Sequence, residues 1–451
     1  MSFKRTIEAN LFQWKESLKR KPLIIRGARQ VGKTTLIKSF SESYSRTIML
    51  NLEKPAHRRY FEDFDDVQSI IEALFLGHGI PSSEINKTLL FIDEIQESPK
   101  AIQLLRYFYE EIPALHVISA GSLLEFVLQK VESFPVGRVE FLYLHPLNFE
   151  EYLRANNKAE LVKYLYQVPI KPVAHQLLID AFHRYSIIGG MPEIIKIDQE
   201  QKNLSDLPMV YESIWGTYKN DVEKYTLNDT SRRIINHIMN TAHLFLDKRI
   251  TFQGFGNSNY KSREVGEAFR ILDDAKIIRL IYPSTDIEVP IIPDLKKSPR
   301  LQFLDTGLIN YTLGIQAEML ALDDLSSAYK GAVIPHLFTQ EIISLGKISE
   351  HKPNFWVRDK KQSSAEVDLL YPYKNLVIPI EIKSGSTGSL KSLHQFVDTV
   401  SHPYAIRVYG GQFKLERSVT PNGKPYLLLN IPYYLGTRIA ECVTWLIDQT
   451  L

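Results

Sequence analysis

In the first third of the chain, short unbroken apolar runs alternate with segments whose apolar residues recur three and four positions apart. The runs are PLIIRG (22–27), TIMLNLE (47–53), TLLFIDE (88–94) and LHVISAGS (115–122), and GKTTLIKSF after the first of them has helical spacing. Continuous apolar strands separated by helices predict a parallel sheet covered on both faces. From about residue 150 to 245 the pattern changes to amphipathic stretches such as EEYLRANNKAELVKYLYQV and VAHQLLIDAFHRYSII, which predict a helical subdomain. Between about 231 and 300, SRRIINHIMNTAHLFL and YKSREVGEAFRILDDAK predict two helices, closed by the extended run IIRLIYP. After DTGLINYTLG (305–314), SSAYKGAVIPHLFTQEIISL predicts a helix, and AEVDLLYP and LVIPIEIK predict two strands. Internal repeats, low-complexity tracts and long Pro/Ser linkers are absent from the sequence, so the domains are expected to pack together.

Composition changes this picture little. With 451 residues, 44% hydrophobic and 24% charged, the chain has apolar material for two to four domains. A formal net charge of +2 gives no global field that would argue for nucleic acid or a membrane, although a basic surface can still be local. Cys442 is the only cysteine, which excludes an intramolecular disulfide and a cysteine zinc site and fits a reducing compartment. The N-terminus lacks a signal-peptide core, and no stretch approaches ~18 uncharged apolar residues. The expectation is a soluble, cytoplasmic protein with no membrane partner.

Gly27-Ala28-Arg29-Gln30-Val31-Gly32-Lys33-Thr34 satisfies the phosphate-binding pattern G-x-x-x-x-G-K-[ST] in full. The glycines allow the tight turn that aims backbone N–H groups at phosphate oxygens, and the following helix adds its positive N-terminal end. Lys33 is expected to place a point charge on the β- and γ-phosphates of ATP, and the Thr34 hydroxyl to ligate Mg2+. Thr35, next on that helix, completes the expected nucleotide-binding set. Leu89-Leu90-Phe91-Ile92 puts Asp93 and Glu94 at the end of a buried strand, where a parallel sheet opens its ligand crevice. Asp93 is expected to hold the magnesium through water, and Glu94 to position and deprotonate the attacking water. Past the next strand, either Ser119 or Ser122 could read the γ-phosphate, or serve merely as a cap.

Further along, Arg232, Arg233, Lys248, Arg249, Lys261, Arg263 and Arg270 could form a phosphate-contacting face, partly offset by Glu267, Asp273 and Asp274. A protein interface is the alternative for this segment. Residues two apart on a strand face one side, so Glu381 and Lys383 should point together, and a hairpin would bring Asp368 to them. Two carboxylates holding a divalent metal, with a lysine orienting water, make a metal-dependent phosphodiesterase. A structural salt-bridge cluster is the other reading of the same residues.

RKPLIIRGARQVGKTT, FIDEIQESP, ISAGSLLEF and PVGRVEFLYLHPLNFEEYL resemble the AAA-type ATPase domain of many bacterial and archaeal two-part ATPases, in which a domain of uncertain function follows. The resemblance implies the roles given above for Lys33, Thr34, Asp93 and Glu94, and makes Ser122 the phosphate sensor. It also makes Arg138, in Val136-Gly137-Arg138, the arginine that senses or stabilises the γ-phosphate. FLDTGL, FWVRDKKQSSAEVDLL and IPIEIKSGSTGSLKSLHQF look like the C-terminal domain of that family, which is similar to PD-(D/E)xK nucleases. The chain departs from the family in one place. Pro335 stands four residues after Gly331 where a glutamate is usual, while Glu341 keeps the second acidic position.

The expected architecture is a P-loop domain (1–155), a helical lid (156–230), a winged-helix-like unit (231–305) and an α/β nuclease-like domain (306–451). Two functions fit it. One is an ATPase driving an effector that acts on DNA; the other is a nucleotide-gated scaffold whose last domain binds a protein partner without cleavage. Assembly into an oligomeric ring is compatible with an AAA-type domain.

Overall fold

The computed structural model describes residues 3–122, 124, 135, 137–201, 207–223, 226, 228–246, 248–314, 327–359, 365–383 and 390–450. The chain divides into two compact units, the first formed by Met1–Pro146 with Asp274–Lys276 and Gly346–Glu350. The second holds Leu147–Asp273, Ile277–Leu345 and His351–Leu451.

The first unit is built on β1 (Leu23–Arg26), β2 (Arg46–Asn51), β3 (Thr88–Asp93), β4 (His116–Ala120) and β5 (Glu140–Tyr143). They pair all-parallel in the order β2-β3-β4-β1-β5. Every residue of β3 and β4 is buried, as an apolar run in the middle of a covered sheet requires. Ile24, Ile48, Leu90 and Ile92 from the sheet join Ile70, Leu74, Leu105 and Phe108 from helices Val67–His78 and Pro99–Glu111 in one core. Because the strands are parallel, all their C-terminal ends open on one edge, and the P-loop and Asp93 both lie there. The four strands expected from the sequence are present. β5 was not foreseen: its run EFLY opens on a charge and ends on a tyrosine, and only its last two residues are buried.

In the second unit, helices Phe149–Ala155, Ala159–Leu165, His175–Ile188, Pro192–Gln201, Leu207–Glu223 and Asp229–Thr241 follow one another without a strand among the described residues, as the periodicity predicts. Helices Asp229–Thr241 and Ser262–Asp274 are followed by an antiparallel pair, β6 (Ile278–Ile281) and β8 (Arg300–Phe303). Helix Thr306–Thr312 and the long helix Ser327–Ile343 come next. A seven-stranded mixed sheet follows the order β13-β14-β12-β11-β10-β9-β7. Its strands are β7 (Pro283–Ser284), β9 (Asn354–Val357), β10 (Glu366–Tyr373), β11 (Leu376–Ile382), β12 (Tyr404–Tyr409), β13 (Lys414–Val419) and β14 (Pro425–Pro432). β10 and β11 form an antiparallel hairpin in which Tyr373 pairs with Leu376 and Leu369 with Ile380. Helix Lys391–Thr399 covers one face, where Trp356 meets Phe396 edge-on at 5.3 Å. Of the second unit's strands, β10, β11 and, within the run IIRLIYP, β6 were expected from the sequence. β13 is an edge strand rich in charge, and β12 mixes Arg and Tyr into its apolar run, so neither carries a clean period. Among the described residues, no helix is long and apolar enough to cross a membrane.

Candidate functional site

The P-loop leaves β1 through Gly27 (φ 148°) and enters helix Lys33–Ser41 through Gly32 (φ 98°), conformations that a side chain rarely adopts. A Cβ on Gly27 would lie 2.2 Å from the Leu144 carbonyl oxygen, so the loop is pressed against backbone at that point. Lys33 is buried, and its ammonium donates to the carbonyls of Gly27 (3.0 Å) and Ala28 (2.8 Å). A lysine folded onto its own loop in this way is poised to transfer those bonds to phosphate oxygens. Thr34 Oγ1 donates to Asp93 Oδ2 at 2.8 Å, joining the two halves of the site across a sequence separation of 59 residues. Thr35 is exposed on the same first turn, and Arg29 pairs with Glu53 at 3.7 Å.

Burial raises the pKa of Asp93, and its bond from Thr34 partly offsets the shift. Threonine hydroxyl and carboxylate side by side, beside a phosphate cradle, form the donor set that Mg2+ takes with a bound nucleotide, one or two protein oxygens being enough. Glu94 follows in a left-handed conformation (φ 51°), with its N–H 3.2 Å from Asp93 Oδ1. Its carboxylate accepts from Gln96 Nε2 at 2.5 Å. Ser122 is buried just past β4, beside the C-terminal end of β1. Ser119 lies inside the sheet with its hydroxyl 3.5 Å from the Leu23 carbonyl, which leaves Ser122 as the serine at the phosphate edge.

Two residues of this site escaped the sequence reading. Gln96 is one, and FIDEIQ shows it only as another polar residue after the acids. Arg5 is the other: its guanidinium, buried under the loop, donates to the carbonyls of Val31 (3.0 Å) and His145 (2.6 Å). No sequence signal links Arg5 to partners 26 and 140 residues away.

Arg138 is a correction. It lies just before β5, whose Glu140 pairs with Leu23 at the start of β1, so it sits at the sheet edge opposite the P-loop. There it is exposed and donates to Glu110 at 2.8 Å. Strand direction thus removes Arg138 from the phosphate site of its own chain.

In the second unit, the hairpin brings the expected C-terminal cluster together. Asp368 Oδ2 accepts from the Ile382 N–H at 2.8 Å, and Lys383 donates to Glu381 Oε1 at 2.6 Å. Arg300 was not foreseen: it bonds Glu366 and reaches Asp368 Oδ1 at 3.3 Å. Burial first, and the neighbouring Asp368 second, push Glu381 up to about 7. Among the described residues no group of three or more His, Cys, Asp or Glu side chains is placed to hold a metal ion. Arg300, Ile382 N–H and Lys383 donate to three of the four oxygens of Asp368 and Glu381, and the Arg300 cation beside Asp368 opposes a divalent ion there.

Glu341 is spent elsewhere. Both its oxygens accept from the Phe149 N–H, at 3.1 and 3.2 Å, and Oε1 also meets the Tyr185 hydroxyl at 2.8 Å. The basic residues Arg232, Arg233, Lys248, Arg249, Lys261, Arg263 and Arg270 are all exposed. Of these, Arg232 pairs with Asp229 at 3.5 Å, and Arg249 with Glu366 at 3.7 Å.

Residues 19–153 match the family model of the AAA domain. Residues 179–319 match a domain of unknown function (DUF8612), and residues 330–425 another (DUF4143). No curated protein matches the chain. Among solved structures, the Walker-type ATPase paby2304 of Pyrococcus abyssi is similar at 15% identity and a TM-score of 0.44, over 69% of this chain and 96% of that one. A signal transduction ATPase with numerous domains from Pyrococcus horikoshii, PH0952, which carries a tetratricopeptide repeat sensor, is similar at 14% identity and a TM-score of 0.27. That likeness spans 76% of this chain and 48% of that one. The matched segment 19–153 contains every residue of the phosphate site except Arg5, and its match and its sheet are those of an AAA-type P-loop domain.

Proposed function

We propose that this chain binds ATP with Mg2+ and hydrolyses it, and that the cycle controls a C-terminal module associated with nucleic acid. The observation that carries the first part is the 2.8 Å bond from Thr34 to Asp93 at the sheet edge where Lys33 and the P-loop lie. Loop N–H groups bind the phosphates, and Lys33 exchanges its two carbonyl partners for β- and γ-oxygens. Thr34, and Asp93 through water, would hold the metal, which would supply charge neutralisation at the phosphates. Glu94, held by Gln96, accepts the proton of the attacking water, and Ser122 lies on the side of the terminal phosphate. Purified protein is expected to turn over ATP in Mg2+, and Lys33→Ala to abolish turnover. Equal turnover by both proteins would refute the assignment.

For the second part, residues 231–305 act as a winged-helix-like unit and 306–451 as a nuclease-like module, with 156–230 as the helical lid of the expected division. Exposure of seven basic residues in the first of these supports contact with DNA. Affinity for duplex DNA should then fall steeply with salt, and Arg263→Ala with Arg270→Ala should flatten the slope. One observation speaks for a second reading, a nucleotide-gated scaffold whose last module binds a protein partner without cutting: Arg300 already engages Asp368. Incubating the protein with linear DNA and Mn2+, with and without ATP, separates the two.

A further inference from the structure

Arg300 opens β8 and directs its guanidinium at the carboxylates of β10. Nη2 bonds Glu366 and lies 3.3 Å from Asp368 Oδ1, while Cζ stands 4.6 Å from the centroid of the buried Phe355 ring. Arg249, bridged to Arg300 along the backbone, adds a second guanidinium 3.7 Å from Glu366 Oε2. The Arg300 side chain is only 14% exposed, less than either carboxylate it joins. A planar cation stacked on an aromatic face and bonded at its edge is held in place, and a guanidinium does not lose its charge. On the other side of Asp368, Glu381 Oε2 is buried and has no hydrogen-bond partner among the described residues. The cluster therefore has a resident cation at one carboxylate and an unmet acceptor at the next.

We propose that Arg300 is a built-in cation that takes the electrostatic place of a divalent metal at Asp368 and Glu381. The inference rests on the nuclease-like reading of Asp368, Glu381 and Lys383. It goes further by naming the residue that keeps a metal out. Asp368 Oδ1 faces Arg300 and Oδ2 faces the Ile382 N–H, so an ion bound there would lie against a guanidinium of like sign and compete with a donor at each oxygen. The module in this state holds its carboxylates in register for binding, and any metal chemistry waits on removal of Arg300.

The test is Mn2+ binding, followed by electron paramagnetic resonance, to the full chain without nucleotide. Wild type, Asp368→Asn, Arg300→Ala, Arg300→Lys, and Arg300→Ala combined with Asp368→Asn are compared. Arg300→Ala is expected to bind one more Mn2+ than wild type, at least tenfold more tightly than any binding wild type shows at this cluster. The added Asp368→Asn should remove that site, and Arg300→Lys should not create it. Should Arg300→Ala fail to fold, thermal melting with and without millimolar MnCl2 gives the answer: recovery of folding by Mn2+ supports the proposal, and no recovery overturns it. If wild type already holds Mn2+ in a site that Asp368→Asn removes, Arg300 is not the occupant, and the nuclease-like reading survives. If no variant binds Mn2+, Arg300 is not what excludes metal and the proposal falls. The DNA incubation above then decides the nuclease-like reading independently.

Discussion

The Tyr185 hydroxyl lies 2.8 Å from Glu341 Oε1 and equally 2.8 Å from the carbonyl oxygen of Leu147. A phenol has one hydrogen, and a backbone carbonyl only accepts. The Tyr185 hydroxyl therefore shares its one hydrogen between Glu341 Oε1 and the Leu147 carbonyl. Burial independently pushes Glu341 up to about 8, with Glu150 and Glu151 adding to the shift and the Phe149 N–H and Tyr185 opposing it. Burial thus favours the neutral form of Glu341 in the fold.

Stability should follow from that proton. An unfolded chain releases it near the ordinary 4.5, whereas the folded chain keeps it up to about 8. The folded state binds more protons inside this window, so the Glu341 contribution is full below it and is lost as pH rises through about 8. Glu341→Gln keeps the shape and removes the titration. Urea unfolding between pH 5 and 8.5 should show wild type losing stability relative to this variant, by an amount on the order of a few kcal/mol across the window. A constant difference at every pH would mean that Glu341 is ionised in the fold. Tyr185→Phe should destabilise at all pH values, by about 1–3 kcal/mol, because Leu147 loses its buried donor.

Arg5 connects the segment before helix Glu8–Glu16 to the phosphate loop. Its removal by Arg5→Ala leaves the Val31 and His145 carbonyls without that donor, at a cost of about 1–3 kcal/mol for each buried acceptor left unsatisfied. Val31 belongs to the loop whose N–H groups meet the phosphates, so nucleotide affinity should fall several-fold as the melting temperature drops. Arg5→Lys should recover part of both, one ammonium being able to satisfy one carbonyl at a time. Titration with a fluorescent ATP analogue checks this. Unchanged affinity in a destabilised Arg5→Ala protein would make the residue purely structural.

Much of the first unit was legible because its chemistry is local. Gly27 to Thr34 lie within one turn, and β3 delivers Asp93 and Glu94 as neighbours. The hairpin of β10 and β11 was equally readable, since two runs rich in Val, Ile and Leu are separated by a short Lys374-Asn375 turn, with Lys374 at φ 52°. What sequence could not give was strand order and distant pairing. Arg138 follows a turn, a placement compatible with any strand order, and only the Glu140–Leu23 pairing reveals which sheet edge it occupies. Arg300 precedes Asp368 by 68 residues, and nothing between them announces an ion pair. Glu341 read as an acid on a helix available for metal, whereas the fold uses it to hold the start of helix Phe149–Ala155.

Gln96 and Glu94 allow the chemical step to be separated from binding. Gln96 Nε2 holds Glu94 Oε2 at 2.5 Å, and its own Oε1 faces Gly121, where an added Cβ would come within 2.5 Å. The amide is therefore packed on one side and bonded on the other, which fixes the rotamer of Glu94. Neither residue supplies a loop N–H or a metal oxygen, so their loss should leave the binding of MgATP intact. Glu94→Gln is expected to lower kcat by about 10²- to 10⁴-fold, the range for losing a general base. Gln96→Leu should lower kcat by about 10- to 100-fold, as for other outer partners that orient a working side chain. KM for ATP should stay within about twofold in both, because ground-state and transition-state binding through the P-loop are untouched. Steady-state kinetics at saturating Mg2+ measures the split. A rise in KM with kcat preserved in Gln96→Leu would show that Gln96 supports the nucleotide cradle and that Glu94 is oriented without it.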